Sequence, residues 1–301
     1  MRTGLKAITI LLFIFSACLV RAEPVIDAAT FIDQKVRVTG LAGTPWEANF
    51  SFDEERSRAW MDALHHAYEN ILNLPLMEGK LVRHVLQTNP ALKERLGIII
   101  LSAPKKFYQP DNTGLARCVV EVPLSGKLSL RSALYLAALR PRSQQPLSFL
   151  ASWSAPINEE NLPVPEFKRL IIDVRDYYYE PSIFPRIFAD NGALIFQEAM
   201  IPQPERFSRP AIRFSTDIVK AHEGLSEEEF MISLASINEL ACRDVTVANS
   251  DVAVVSGFCN QMVKNPDKEL EIIIVYDSEK KLQTGKMDKT KPEKQNDSKA
   301  K

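Results

Sequence analysis

The hydrophobic positions along this chain change period several times, and each change predicts an element. From Lys35 to Gly40 the sequence reads Lys-Val-Arg-Val-Thr-Gly. Val36 and Val38 alternate with charged residues, which predicts a half-buried strand. After a loop containing Gly43 and Pro45, Ser51 and Glu54 have the spacing of a helical capping box. Trp60, Leu64, Ala67, Ile71 and Leu74 then recur at three- and four-residue intervals, predicting a helix buried along one face and stopped by Pro75. A second helix is expected over 78–86. Leu96 to Ala103 and Leu115 to Val122 are rich in β-branched residues and read as strands. The turn-forming run Pro110-Asp111-Asn112-Thr113-Gly114 between them makes a hairpin. Leu128 to Leu139 reads as a closing helix.

The pattern then breaks. Pro141, Pro146, Pro156, Pro163 and Pro165 fall within one stretch, a density that opposes both helix and central strand. Past it, Leu170 to Val174 is a buried-strand run. Ile183 to Phe188 and Ala193 to Ala199 flank Asp190-Asn191-Gly192, and Asn-Gly between apolar runs signals a hairpin. Ser226 and Glu229 repeat the capping-box spacing, so a helix carrying Phe230, Leu234, Ile237 and Ala241 is expected. A short strand at 244–247, a helix over 250–263 and a strand over 270–276 complete the block. The expected fold is α+β: two small domains over 30–140 and 167–278, each a mixed or antiparallel sheet with packed helices, joined by a Pro-rich linker over 141–166.

The ends of the chain differ from these blocks. Arg2 and Lys6 precede an uncharged apolar run from Ala7 to Val20, and Val20-Arg21-Ala22 follows with small residues where a signal peptidase reads. A membrane span needs roughly 20 apolar residues, and this run is shorter. Residues 1–22 therefore read as a secretory signal cleaved after Ala22. An uncleaved anchor and a lipoprotein attached through Cys18 are the alternatives. The 279–301 tail holds eight Lys against four acidic residues and almost no apolar side chains. Such a segment cannot bury a core and is expected to be disordered, with anionic lipid or cell-wall polymer as its candidate contact.

Composition narrows the function classes. With 46% hydrophobic residues and 25% charged, the chain is that of an ordinary folded protein. Its net charge of −1 provides no global field for nucleic acid, which is excluded as an expected partner. Beyond the leader the chain keeps Cys118, Cys242 and Cys259, an odd number without metal-site spacing. Cys242 and Cys259 are the candidate disulfide of an oxidising compartment. His65 and His66 are helix neighbours, pointing about 100° apart, and cannot chelate one ion from one face. His84 and His222 stand at no motif spacing to them. Asp173 and Asp176 form a candidate carboxylate pair, read as a solvated turn beside Arg175. No GxSxG nucleophile turn and no glycine-rich phosphate loop occurs. The reading is of a non-enzyme without a cofactor or metal. Tyr177-Tyr178-Tyr179 is the candidate partner- or sugar-binding rim, weighed against a strand end that packs alternate rings inside.

Two resemblances follow from these segments. Leu170-Ile171-Ile172-Asp173-Val174-Arg175, Pro181, Pro185-Arg186-Ile187 and Asp190-Asn191-Gly192 resemble a recurring segment of bacterial envelope proteins. Ser250-Asp251-Val252 and the strand ending Val275-Tyr276-Asp277 stand in that segment's order, while Arg169 and Asp176 replace its usual glycines. The first block resembles the N-terminal domain shared by the lipoprotein-20 family and the flagellar T-protein. Val36-Arg37-Val38-Thr39-Gly40, Arg58-Ala59, Asp62-Ala63 and Val122-Pro123-Leu124-Ser125-Gly126 carry that likeness. The resemblance implies a periplasmic or outer-membrane-associated protein with envelope or flagellar partners, and no catalysis. The rival expectation is a periplasmic ligand-binding protein or enzyme that uses the cleft between the domains.

Overall fold

A computed structural model describes residues 27–43, 52–108, 115–139, 165–201, 209–238, 241–266 and 268–280. The leader with Cys18 and Ala22, the Ser51 cap, the turn at 110–114, nearly all of the linker and the tail beyond Lys280 lie outside them. The chain is α+β, with a three-stranded sheet and a two-stranded hairpin in the first half and a seven-stranded sheet in the second.

In the first half, α1 (Ala28–Ile32) leads into β1 (Lys35–Ala42), and α2 (Phe52–Asn73) crosses the sheet that β1 begins. A short hairpin, β2 (Pro75–Met77) and β3 (Lys80–Leu81), precedes α3 (Val82–Leu86) and α4 (Pro90–Ser102). Strands β4 (Lys105–Tyr108) and β5 (Ala116–Pro123) and helix α5 (Leu130–Leu139) complete it. The sheet order is β1-β5-β4, all antiparallel. Helix α2 lies on it closely. A Cβ at Gly40 would stand 2.1 Å from the Ala59 carbonyl oxygen and 2.2 Å from the Ala63 nitrogen, so glycine on the strand and alanines on the helix are what permit the contact. The buried face of α2 runs Ala59, Ala63, Ala67, Ile71.

One expectation here is corrected. Residues 96–103 are not a strand but the second half of α4, and β4 takes their place in the hairpin with β5. Asn89 caps α4, its side-chain oxygen accepting from the Leu92 N–H at 3.1 Å, and Pro90 opens the first turn. Leu92, Leu96, Ile99 and Ile100 are buried, a helical period, while Ile98 and Leu101 face out. The expected helix over 78–86 shrinks to α3, because the hairpin β2–β3 occupies its first residues.

In the second half, β6 (Arg169–Asp173), β7 (Arg186–Ala189) and β8 (Leu194–Gln197) are followed by a 3₁₀ turn at Glu198–Met200. Then come β9 (Ile212–Ser215), α6 (Ile218–Ala221), β10 (Phe230–Asn238), β11 (Ala241–Val247), α7 (Val252–Lys264) and β12 (Glu271–Val275). The seven strands order as β8-β7-β11-β10-β6-β12-β9. β10, β6, β12 and β9 run parallel, while β7–β8 and β10–β11 are antiparallel hairpins. Asp190-Asn191-Gly192 turns the first hairpin as expected, with Gly192 at φ 80°.

The helix expected over Phe230 to Ala241 is a second correction. Ser226 does bond Glu229 as a capping box would, its N–H and Oγ both 3.1 Å from Glu229 Oε2. That local turn does not propagate. The next residues pair with β6 instead, with Ser233, Ala235 and Ile237 inside and Ile232 and Leu234 outside. The period is two, and two contacts with neighbouring strands outweigh one favourable cap.

One face of the seven-stranded sheet joins the core of the first half in a continuous cluster. The opposite face carries a small separate cluster of Ile171, Ile273 and Val275 under Ala221 of α6.

Candidate functional site

Parallel strands leave their carboxyl ends on one side of a sheet, and the loops there meet ligands in many α/β folds. Here β6, β12 and β9 are adjacent and end together. Their loops line an open depression of about 600 Å³ with Asp173, Arg175, Asp176, Thr216, Asp277, Ser278 and Glu279. Asp173 holds Arg175 in a fork: Nε donates to Oδ1 at 2.9 Å and Nη2 to Oδ2 at 2.7 Å. The guanidinium bond keeps the Asp173 carboxyl below its ordinary range, and the carboxylate raises Arg175 in turn. Lys280 Nζ donates to the carbonyl oxygens of Arg175 and Asp176, tying the end of β12 to the end of β6. Asp277 Oδ1 accepts from the Glu279 N–H at 2.9 Å. Carboxylates outnumber cations on this surface, so it suits a small hydrogen-bond donor such as an amine or a polyol. Among the described residues, no group of three or more His, Cys, Asp or Glu is arranged to hold a metal ion.

The expected carboxylate pair therefore sits in this depression, beside Arg175 as read. The sequence reading missed Thr216, Asp277, Ser278 and Glu279. Their only signal was an acidic residue directly after a buried β run, repeated at Asp173 and Asp277, and it needs the parallel register to acquire meaning.

The three tyrosines do not form a rim. Tyr177 is exposed, Tyr178 half-buried, and Tyr179 is buried against Phe214 and Tyr276 at ring-centroid distances of 6.2 and 5.8 Å. The turn after β6 rotates successive side chains from solvent into the core, so they share no face. Burial pushes Tyr179 well above its ordinary value and Tyr276 up to about 12, as expected of aromatics in a core. The Cys242–Cys259 bridge is also absent: Cys118, Cys242 and Cys259 are free thiols. Cys259 is buried on α7, where desolvation strongly raises its thiol. Cys242 lies half-buried on β11, 3.9 Å from the Glu180 carboxylate. His65 and His66 are exposed on α2, and His222 stacks on Phe230 at 4.8 Å.

Between the halves lies a packed seam where a cleft was the rival expectation. Backbone bonds cross it: the Ile183 N–H donates to Pro75 O and the Phe184 N–H to Leu76 O, both at 2.9 Å. Tyr135 meets Phe184 edge-on, and Phe31 meets Phe214. Arg131 of α5 pairs with Glu198 of the 3₁₀ turn, and both side chains are 3% exposed. Arg131 also lies over the Phe184 ring. Burial raises the Glu198 carboxyl against the lowering pull of Arg131. At the seam's edge Arg243 binds Glu180 at 2.7 Å, and its N–H donates to Glu78 at 2.9 Å.

Residues 169–278 match a family described as the second domain of Treponema pallidum Tp0624. The matched span begins with β6 and ends just past β12, so it coincides with the seven-stranded sheet. No curated protein matches the chain.

Proposed function

We propose that the chain is exported and acts in the cell envelope as a non-catalytic structural or interaction protein, within a flagellar or outer-membrane-associated assembly. The observation that carries this reading is the seam. A hydrophobic cluster continues through both halves, and a buried ion pair and two backbone bonds cross between them. Such a body presents surfaces rather than a hinged cleft, which suits assembly. The export pattern read in the sequence of residues 1–22 supports that compartment.

Fractionation of cells producing the full chain, then crosslinking and mass-spectrometric identification of what co-purifies, tests this. Recovery with flagellar, cell-wall or outer-membrane components is expected. A partner-free monomer retained in the cytoplasm would contradict it. A second reading, binding of a small polar ligand, is favoured by the depression at the carboxyl ends of β6, β9 and β12. Thermal-shift screening with amines and polyols, against Asp277→Asn as control, distinguishes it.

A further inference from the structure

The three-stranded sheet has two edges, and they are finished differently. In an antiparallel pair, every second residue turns its N–H and C=O away from its partner. On β1 the outward groups include the Leu41 N–H, which donates to Asp62 Oδ2 at 2.9 Å, and the Thr39 carbonyl, which lies 3.4 Å from His66 Nδ1. Helix α2 thus caps that edge. On β4, the Glu121 N–H reaches Pro104 O, which makes 104 and 121 a bonded pair. Counting along the register, 106 and 108 face β5, and the N–H and C=O groups of Lys105 and Phe107 face outward. Among the described residues no strand pairs with that edge.

The side chains around the open edge are cations set on aromatic rings. On the helix side, Lys105 Nζ stands 3.4 Å from the Trp60 ring centroid and Arg56 lies 4.5 Å from that of Phe107. On the opposite side, Lys106 and Arg117 flank Tyr108 at 5.0 and 5.4 Å. Lys105, Lys106 and Arg117 are exposed. No carboxylate among the described residues forms an ion pair with any of the three. Lysine on an edge strand is a common guard against unwanted pairing. That role needs no ring beneath the charge and no second cation brought from a neighbouring strand and helix. Rings hold these cations in place by cation–π attraction, on both faces of one short strand.

We propose that β4 receives an extended acidic peptide as an added strand. Its main chain bonds the outward groups of Lys105 and Phe107. Its successive carboxylates, which point alternately to the two faces, meet Lys105 on one side and Lys106 with Arg117 on the other. The inference deepens the interaction reading above and rests on it, by naming the chemistry of one partner. Its test uses the purified chain, so the two can fail separately.

The probe is a fluorescein-labelled octapeptide of alternating Glu-Glu and Val-Val pairs, followed by anisotropy. Binding is expected, weakening with salt. The Lys105→Glu/Lys106→Glu variant, whose changes are exposed, should weaken it about tenfold or more, given the usual worth of several exposed charge pairs. The same peptide N-methylated at every backbone amide keeps its charge but has no N–H on either edge to add as a strand, and it should bind about tenfold worse or more. Equal binding of both peptides would overturn the proposal in favour of charge alone. Stronger binding of a sulfated polysaccharide that displaces the peptide would overturn it in favour of a glycan. No binding of the octapeptide would overturn it outright, and envelope co-purification would then still support the broader interaction role.

Discussion

Two arginine–carboxylate pairs in this molecule use the same chemistry in opposite surroundings. Arg131–Glu198 lies in the seam with both side chains 3% exposed, whereas Arg175–Asp173 lies at the depression with Arg175 43% exposed. Burial raises the Glu198 carboxyl, while the Arg175 bond lowers that of Asp173. In the seam, the loss of water outweighs the attraction of the partner. At the rim only the guanidinium stays in water, and its hydrogen bond outweighs the desolvation of the Asp173 carboxylate. An ion pair is therefore not evidence of strength by itself. The buried pair penalises every state in which its members are separated, so it selects one docking of the two halves. The exposed pair only shapes a turn.

Breaking the buried pair from one side should have the largest effect. Arg131→Met or Glu198→Gln each leaves one polar partner stranded and should cost about 3–5 kcal/mol in urea unfolding. The double Arg131→Met/Glu198→Met should recover most of that. If the double variant is as unstable as the singles, the pair does more than neutralise itself. The Arg131→Met cost should also depend on pH. Without arginine the Glu198 carboxyl rises further, so the neutral acid is favoured in the folded state. Stability relative to wild type is then regained below the ordinary carboxyl value of 4.5 and lost as pH rises through the raised folded value. Unfolding at pH 4 and pH 8 checks this.

The depression sharpens the contrast. Asp173 is lowered, so its contribution is present above its ordinary value of 3.8 and disappears as pH falls through the folded value. Asp173→Asn should remove about 1 kcal/mol at neutral pH and flatten that acid limb, read by urea unfolding across pH. Arg175→Ala should cost less than about 1 kcal/mol, because more than a third of the side chain is in water. The smallest effect should come from Tyr177→Ser, within about 0.5 kcal/mol for an exposed ring. Tyr179→Ser, two residues on, should behave as a core truncation by differential scanning fluorimetry.

Most elements were legible because their patterns were local. Alternation marked β1, the three-and-four spacing marked α2, Asn191-Gly192 marked the β7–β8 hairpin, and continuous apolar runs marked β6 and β12. Two of the misread segments were ones whose apolar residues fit either period. Leu96 to Ala103 is full of isoleucine yet follows Asn89-Pro90, a helix start that the β-branched count obscured. Phe230 to Asn238 follows a real capping turn but is claimed by β6 and β11 on either side, and no window of sequence contains those strands. The site was half legible for the same reason. Asp173, Arg175 and Asp176 are neighbours in sequence, whereas Thr216 and Asp277–Glu279 join them only through the parallel register. Arg131 and Glu198 stand 67 residues apart and carry no motif at all. The tyrosine run was misjudged because a turn, not an extended strand, sets which ring goes inside.

The central claim is that the two halves are one folding body held by a buried seam. Native-state hydrogen exchange on the full chain tests it most directly, by comparing the slowest amides of β5 with those of β6 and β12. A single body predicts one shared opening free energy, lowered equally in both halves by Arg131→Met. Exchange in which one half opens at lower free energy while the other keeps its protection would contradict it.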